Sequence, residues 1–492
     1  MKNSYVLAID QSTQGTKAIL FDKYGCVVCR SDVQHQQYVN EKGWISHDLK
    51  EIYRNTILAV KMVVKKSGIE KDQILCLGIS NQRETSAAWF KDTGIPVQKA
   101  VVWQCSRAEN ICENVRKAGK AEIIRQRTGI HLSPYFPASK FAWLKETIPN
   151  ADELIEEGNL CFGTIDTWLL FCLTHGEVYA TDYSNASRTQ LYNIHTLDWD
   201  NDICQWFGIK RSSLPTVLDS SAMYGVTDFD GFLSKPIPIY GVIGDSQGAL
   251  FGQGCVEKGM VKATYGTGTS VMMNIGNEPL LSNSGLVTSI AWGINGTIDY
   301  VLEGNINYTG AVITWLIRDL NLVKNPGETE KLAYEANKQD TTYLVPAFSG
   351  LGAPYWAPDA RALLCGMSRI TGKCEIVKAA VESIAYQIAD VIGMMKEEYS
   401  TVAKRLCVDG GPTQNHYLME FQSNILGIPV VLPKCEESSA QGAAFLAGLK
   451  AGFFEKEKIF SEQKRSRCLP TMTEEQRKMK YCGWKSAIEK VL

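Results

Sequence analysis

Two aspartates stand where a carboxylate could do chemistry. Asp245 lies in "GVIGDSQGALFG", residues 241–252, between Gly244 and Ser246, with more small residues beyond. An acid so placed has two readings: it closes a turn by accepting nearby backbone N–H groups, or it takes a proton from a bound hydroxyl. Asp10 ends the apolar run "YVLAID" and opens the loop "QSTQGTKA". There Ser12, Thr13, Gln14, Gly15 and Thr16 offer donors, and Lys17 offers positive charge. In "ATYGTGTSVM", Gly266 and Gly268 alternate with Thr264, Thr267 and Thr269. Glycines let backbone N–H groups ring an anion and threonine hydroxyls add donors; the competing reading is a tight hairpin with β-favouring threonines. "VDGGPTQNHYLMEFQ" puts two glycines between a strand and a helix, where a flat ligand or a phosphate can approach the helix N-terminus. Neither GxxxxGK[ST] nor GxGxxG occurs, so a nucleotide would be bound outside those two architectures. An aspartate opposite a triphosphate commonly holds Mg2+ through water. Another aspartate nearby can accept a hydroxyl proton during phosphoryl transfer. Three donor-rich turns with Asp10 and Asp245 form a set that points to this chemistry.

Such a set needs a scaffold that gathers loops from distant parts of the chain. Its 492 residues suggest two or three domains at about 150 residues each. A composition of 45% apolar and 21% charged residues is that of an ordinary globular protein. A net charge of -2 gives no bulk attraction to nucleic acid or to an anionic membrane. Fifteen scattered cysteines do not make a disulfide framework. The CxxC of Cys26 and Cys29 has no second ligand pair, and the six histidines show no ligand spacing. No secretory h-region or membrane-length apolar run is found, so the expected location is the cytoplasm.

Along the chain, "YVLAID", "KAILFD" and the stretch after "KYG" read as an antiparallel hairpin running into a meander. Ser46 is the expected N-cap of a helix ending at Gly68, and "ILCLGIS" is a strand. The second half restarts the theme with strand, glycine turn and strand in "MVKATYGTGTSVMMNIG", then "RLCVDGG" and the helix "HYLMEFQSNILG". The charged stretch "KEKIFSEQKRSRCLPTMTEEQRKMKYCGW" reads as a solvated helix–loop–helix. Two α/β domains meeting near residue 250 are expected, with a ligand cleft between them.

The chain resembles the FGGY carbohydrate kinases of the actin and hexokinase superfamily, and within them the glycerol kinase branch. The runs that carry this are "LAIDQST", "GWISHD", "SNQRET", "PYFPASKFAWLKE", "TDYSNASRT", "YGTGTS", "FSGLGAPYW", "VDGG" and "SSAQGAAFLAGL". The resemblance implies two actin/hexokinase-like (ribonuclease H-like) domains, residues 1–250 on the substrate side and 251–492 on the ATP side. It implies ATP and Mg2+, and transfer of a phosphoryl group to a hydroxyl of a small polyol or sugar. Asp245 would be the general base, which answers what the acid does. Arg83, Glu84, Trp103, Tyr135, Asp245 and Ser246 would bind the acceptor. Thr13, Gln14, Gly15, Lys17, Thr267, Gly310, Gly411 and Asn415 would bind the nucleotide, and Asp10 and Asp245 would hold Mg2+ through water. A homodimer or homotetramer is implied, with no nucleic-acid or membrane partner. Glycerol kinases carry "GDQQAA", "YGTGCF" and "WQDRR" where this chain has Ser246, Ser270, and Cys105 with Ser106. The smaller side chains raise an alternative acceptor, a longer polyol or ketose such as erythritol, arabitol, xylulose or ribulose. A second alternative is an actin-like ATPase with no small-molecule acceptor.

Overall fold

The computed structural model describes residues 4–399, 403–461 and 465–492. Residues 1–3 and 462–464, which fall in stretches read above, lie outside the described residues. Two mixed sheets dominate. In the first, Tyr5–Gln11 pairs antiparallel with Gly15–Phe21, which pairs antiparallel with Val27–Gln34. On its other side Tyr5–Gln11 runs parallel to Ile74–Asn81, which runs parallel to Ile237–Gly244. The central strands are buried along nearly their whole length, so they read as unbroken apolar runs rather than as alternation.

The second sheet repeats the plan. Val261–Tyr265 pairs antiparallel with Thr269–Gly276, and that strand with Thr297–Ile306. Parallel to Val261–Tyr265 runs Leu406–Asp409, followed by Val430–Pro433. Five strands in each sheet thus share order and direction, which places equivalent strand ends together. At one such end lie Asp10, the Gln82–Glu84 loop and Asp245. At its counterpart lie the Gly266–Gly268 turn and Gly410–Gly411.

The halves are joined by the helix Ser438–Lys450, which comes late in the chain yet packs on the first sheet and on the helix Asp245–Gly252. The approach is backbone to backbone: a Cβ on Gly442 would sit 1.9 Å from the Gly248 carbonyl oxygen, and one on Gly78 would sit 2.2 Å from that of Ala443. Asp245 therefore opens a helix and not a turn, and the small residues after it serve this helix crossing. Two other expectations need correction. The helix Leu49–Ser67 is capped by Asp48, whose side chain accepts from the Lys50 and Glu51 N–H groups, while Ser46 lies in the short strand Ile45–His47. The C-terminal stretch is not merely solvated. Arg465–Cys468 adds an edge strand to the second sheet, and the helix Glu474–Glu489 docks through Trp484, fully buried, stacked on Tyr386 and donating to Asp390. No helix among the described residues is long and apolar enough to cross a membrane.

Candidate active site

Asp245 is the first residue of its helix, where the dipole favours a negative charge. Its Oδ1 accepts the Ser246 N–H at 2.7 Å and lies 3.4 Å from Arg83 Nε. The side chain keeps 38% of its surface open. Burial nevertheless raises its pKa above the ordinary carboxylate value, against the pull of Arg83. Gly244 makes room for this pairing, since a Cβ there would lie 2.8 Å from Arg83 Cγ.

Arg83 belongs to a closed set of buried charges. Glu303, on the strand Thr297–Ile306 of the second sheet, takes the guanidinium of Arg83 in a fork, at 2.9 Å to Nη2 and 3.2 Å to Nη1. Arg188 donates to Glu303 at 2.9 Å and to Glu84 at 2.6 Å. Ser270 Oγ adds a hydrogen bond to Glu303 at 2.9 Å. Burial alone would push Glu303 up, but Arg83 and Arg188 outweigh it and hold the carboxyl well below its usual range. Glu84 reaches Arg188 from a left-handed backbone, φ 61°, a conformation that costs energy and collects at functional sites. Arg83 thus spends two donors on Glu303 and one on Gln247, leaving the Nε face toward Asp245 and Glu84.

The two aromatic residues expected around an acceptor are together, with ring centroids of Trp103 and Tyr135 5.3 Å apart. The Trp103 indole N–H donates to Thr13 Oγ1 at 3.0 Å, which ties this platform to the first donor-rich turn. That turn is closed by the Ser12 N–H and hydroxyl, both on the Gly15 carbonyl. Gln14 is exposed at its tip and Thr13 half-buried. Asp10 sits behind it, and burial lifts its pKa to about 6, with Lys17 opposing and Asp245 and Glu437 adding. Asp10 and Asp245 offer hard oxygen donors that suit Mg2+, which binds through one or two carboxylates and phosphate oxygens. No cluster of three or more metal-ligating side chains is found among the described residues.

Across the cleft, the Gly266–Gly268 turn lies on the start of the helix Gly310–Arg318, with the Gly310 N–H on the Gly266 carbonyl at 2.9 Å. Thr267 is exposed on it. Gly310, Gly411 and Asn415 line one cavity of about 480 Å³ with Ile313, Thr329 and Leu418. Asn415 caps the helix His416–Leu426 and donates to Thr329 Oγ1 at 3.0 Å.

Some expected residues are placed otherwise. Lys17 does not stand free beside the turn, for its ammonium pairs with Glu437 at 2.7 Å. Cys105 is buried, with Sγ accepting from the Ile45 N–H and Arg107 Nε, so it supports the loop. Ser270 is engaged by Glu303. Arg188 and Glu303 were assigned no role by the sequence. Glu303, an acid inside the apolar run "YVLEGNI", was the available signal, because a buried charge demands a buried partner.

Two family models match the chain: FGGY family of carbohydrate kinases, N-terminal domain, over residues 5–252, and C-terminal domain, over residues 261–451. Glycerol kinase 1 of Thermotoga maritima is 48% identical over 493 residues, covering 99% of each chain. Glycerol kinase of Natranaerobius thermophilus is 44% identical over 490 residues, covering 99% of this chain and 98% of its own. The crystal structure of Plasmodium falciparum glycerol kinase with ADP superposes with a TM-score of 0.94 at 34% identity, over 100% of this chain and 98% of that one. A ligand-bound xylulose kinase of Lactobacillus acidophilus shares the fold at a TM-score of 0.86, 21% identity, and coverage of 99% and 97%.

Proposed function

The chain belongs to the FGGY family of carbohydrate kinases, and on that premise we propose that it transfers the γ-phosphoryl group of ATP to glycerol, giving glycerol 3-phosphate. The observation that carries this reading is the Asp245 carboxylate, held at the first turn of its helix by the Ser246 N–H and Arg83 at a strand end shared with Asp10 and the Gln82–Glu84 loop. An alcohol is a poor nucleophile while it keeps its proton. A carboxylate within hydrogen-bond reach orients it and accepts that proton as the phosphoryl group moves. Burial raises the pKa of Asp245 above the ordinary carboxylate value, which makes it a stronger proton acceptor once ionised.

The other roles follow from the chemistry of each group. Arg83 Nε and Glu84 offer a donor and an acceptor to adjacent hydroxyls, and Trp103 and Tyr135 cover the C–H edge. Ser246 adjoins the base. The turns of Thr13–Gly15 and Thr267, with Gly310, Gly411 and Asn415, receive the nucleotide, and Lys17 meets phosphate charge if it leaves Glu437. Mg2+ held by Asp10 and Asp245 through water would neutralise the phosphate oxygens. We divide the chain near residue 250 into an acceptor lobe and a nucleotide lobe whose closure excludes water. We place the protein in the cytoplasm, as a homodimer or homotetramer.

The test is ADP release from Mg-ATP with glycerol, erythritol, arabitol, xylitol, xylulose, ribulose and gluconate in parallel. A clear preference for glycerol is expected. A preference for a longer acceptor would assign the pocket to the family's other substrates, with Ser246 and Ser270 as the residues that opened it.

A further inference from the structure

Lys140 is fully buried in the first turns of the helix Pro137–Glu146, and the phosphoryl-transfer steps do not use it. Its ammonium donates to three main-chain carbonyls: Trp103 at 3.2 Å, Pro134 at 2.5 Å and Tyr135 at 2.5 Å. An ammonium has three N–H donors and no acceptor, so this set uses it completely. Two of the three carbonyls belong to the aromatic pair assigned to the acceptor, and the third precedes Tyr135. Trp103 is pinned at two further points, its backbone N–H on Thr85 Oγ1 at 3.3 Å and its indole on Thr13. On the Tyr135 side, the backbone N–H rests on Ser133 Oγ at 3.2 Å. Lys140 thus joins the Trp103 loop to the Tyr135 loop through their main chains, in addition to the contact between the two rings.

We propose that Lys140 is a positioning residue for the acceptor, setting the gap between Trp103 and Tyr135 by gathering their carbonyls on one ammonium. This rests on the reading that those two rings flank the acceptor. The groups facing the ammonium are Glu84 after the strand Ile74–Asn81, Cys105 and Arg107 in the loop after Trp103, and Cys112 of the helix Glu109–Lys117. Burial outweighs the help of Glu84 and the cysteines and brings the pKa down to about 7. The neutral amine keeps two donors and turns a lone pair toward the third carbonyl. One carbonyl is then released, and the aromatic pair loses its spacing. Acceptor affinity is therefore highest below about pH 7 and falls as pH rises through that value, while the nucleotide cavity, which Lys140 does not touch, holds its affinity.

The experiment measures KM for glycerol and for ATP from about pH 6 to about pH 9 in the parent, Lys140→Arg, Lys140→Met and Trp103→Ala. In the parent, the glycerol KM is expected to rise roughly five- to twentyfold across this range, with the ATP KM and kcat changing far less. Lys140→Arg keeps its charge at all these pH values but presents a planar fork that cannot meet three converging carbonyls. Its glycerol KM is expected to be raised and flat with pH. Lys140→Met is expected to raise it further; should that variant not fold, the parent profile and Lys140→Arg decide. A flat parent profile together with an unchanged glycerol KM in Lys140→Arg overturns the proposal. If Trp103→Ala raises the glycerol KM in that case, only the role of Lys140 falls. If Trp103→Ala leaves it unchanged, the reading of the acceptor site falls and takes the proposal with it.

Discussion

In the proposed function, the two sides of the cleft recognise by different means. On the acceptor side, charged side chains are locked together out of solvent: Arg83, Glu84, Arg188 and Glu303 form a continuous set, with Glu303 reaching in from the second sheet. On the nucleotide side the builders are glycines and main-chain groups, at Gly266, Gly268, Gly310 and Gly411, with few charges. A phosphate has the same shape in every nucleotide, and backbone N–H groups can ring it without choosing. A polyol is told from its relatives only by where its hydroxyls fall. That calls for side chains fixed in position, because a buried polar group left unpaired by the wrong ligand carries a large penalty. The cost of this arrangement is rigidity: no member of the charge set can be removed without stranding another.

Asp245 stands between the two sides and gives the largest effect. Asp245→Asn keeps the shape and the Ser246 contact but cannot accept a proton. Glycerol-dependent turnover is expected to fall by about a thousandfold, with ADP affinity by calorimetry near the parental value. Next comes the charge set. Glu303→Gln leaves Arg83 and Arg188 facing a neutral partner, and breaking such a buried pair costs about 3–5 kcal/mol. Urea unfolding should show that loss, and the glycerol KM should rise more than the ATP KM.

Asp10 separates the two sides through pH. Its folded pKa, about 6, lies above the ordinary carboxylate value of 3.8. Between those values the folded state binds more protons than the unfolded one, so Asp10 costs stability as pH rises through the window, and the full cost stands above about pH 6. Asp10→Asn should therefore be more stable than the parent at pH 7, by up to roughly 3 kcal/mol. That gain should vanish below about pH 4, where both forms are neutral. Turnover should be lost at every pH. Thermal unfolding with pH checks the sign.

The smallest effects are expected on the nucleotide side and separate backbone from side chain. A Cβ at Gly310 would lie 2.6 Å from the Gly266 carbonyl oxygen, so Gly310→Ala must shift the phosphate turn and should raise the ATP KM more than about tenfold. Thr267→Ala removes one hydroxyl and should raise it only about fivefold. Equal effects would mean that side chains, not main chain, hold the phosphates.

Legibility in the sequence follows the same divide. The hairpins and glycine turns could be read because a tight turn or a close backbone approach needs glycine locally, and buried central strands announce themselves as apolar runs. The charge set could not be read, since its partners are 220 and 115 residues apart and only folding brings them together. Arg83 and Glu84 were found through the family resemblance, whereas Arg188 and Glu303 were not found at all. The helix at Asp245 escaped because Gly248 and Gly252 lower its local propensity. Its stability comes from the helix Ser438–Lys450, nearly 200 residues away in the chain. The edge strand Arg465–Cys468 escaped because a strand with two arginines looks like a solvated segment, yet charge is how edges are kept from pairing further.

In the proposed reaction glycerol receives the phosphoryl group. The direct measurement is phosphorus NMR of the purified protein turning over Mg-ATP with glycerol present. One phosphomonoester on a terminal carbon of glycerol for each ADP formed, with no free phosphate, is the result the account predicts. ADP formed with free phosphate, or glycerol left unphosphorylated while a longer polyol or ketose is consumed, would contradict it.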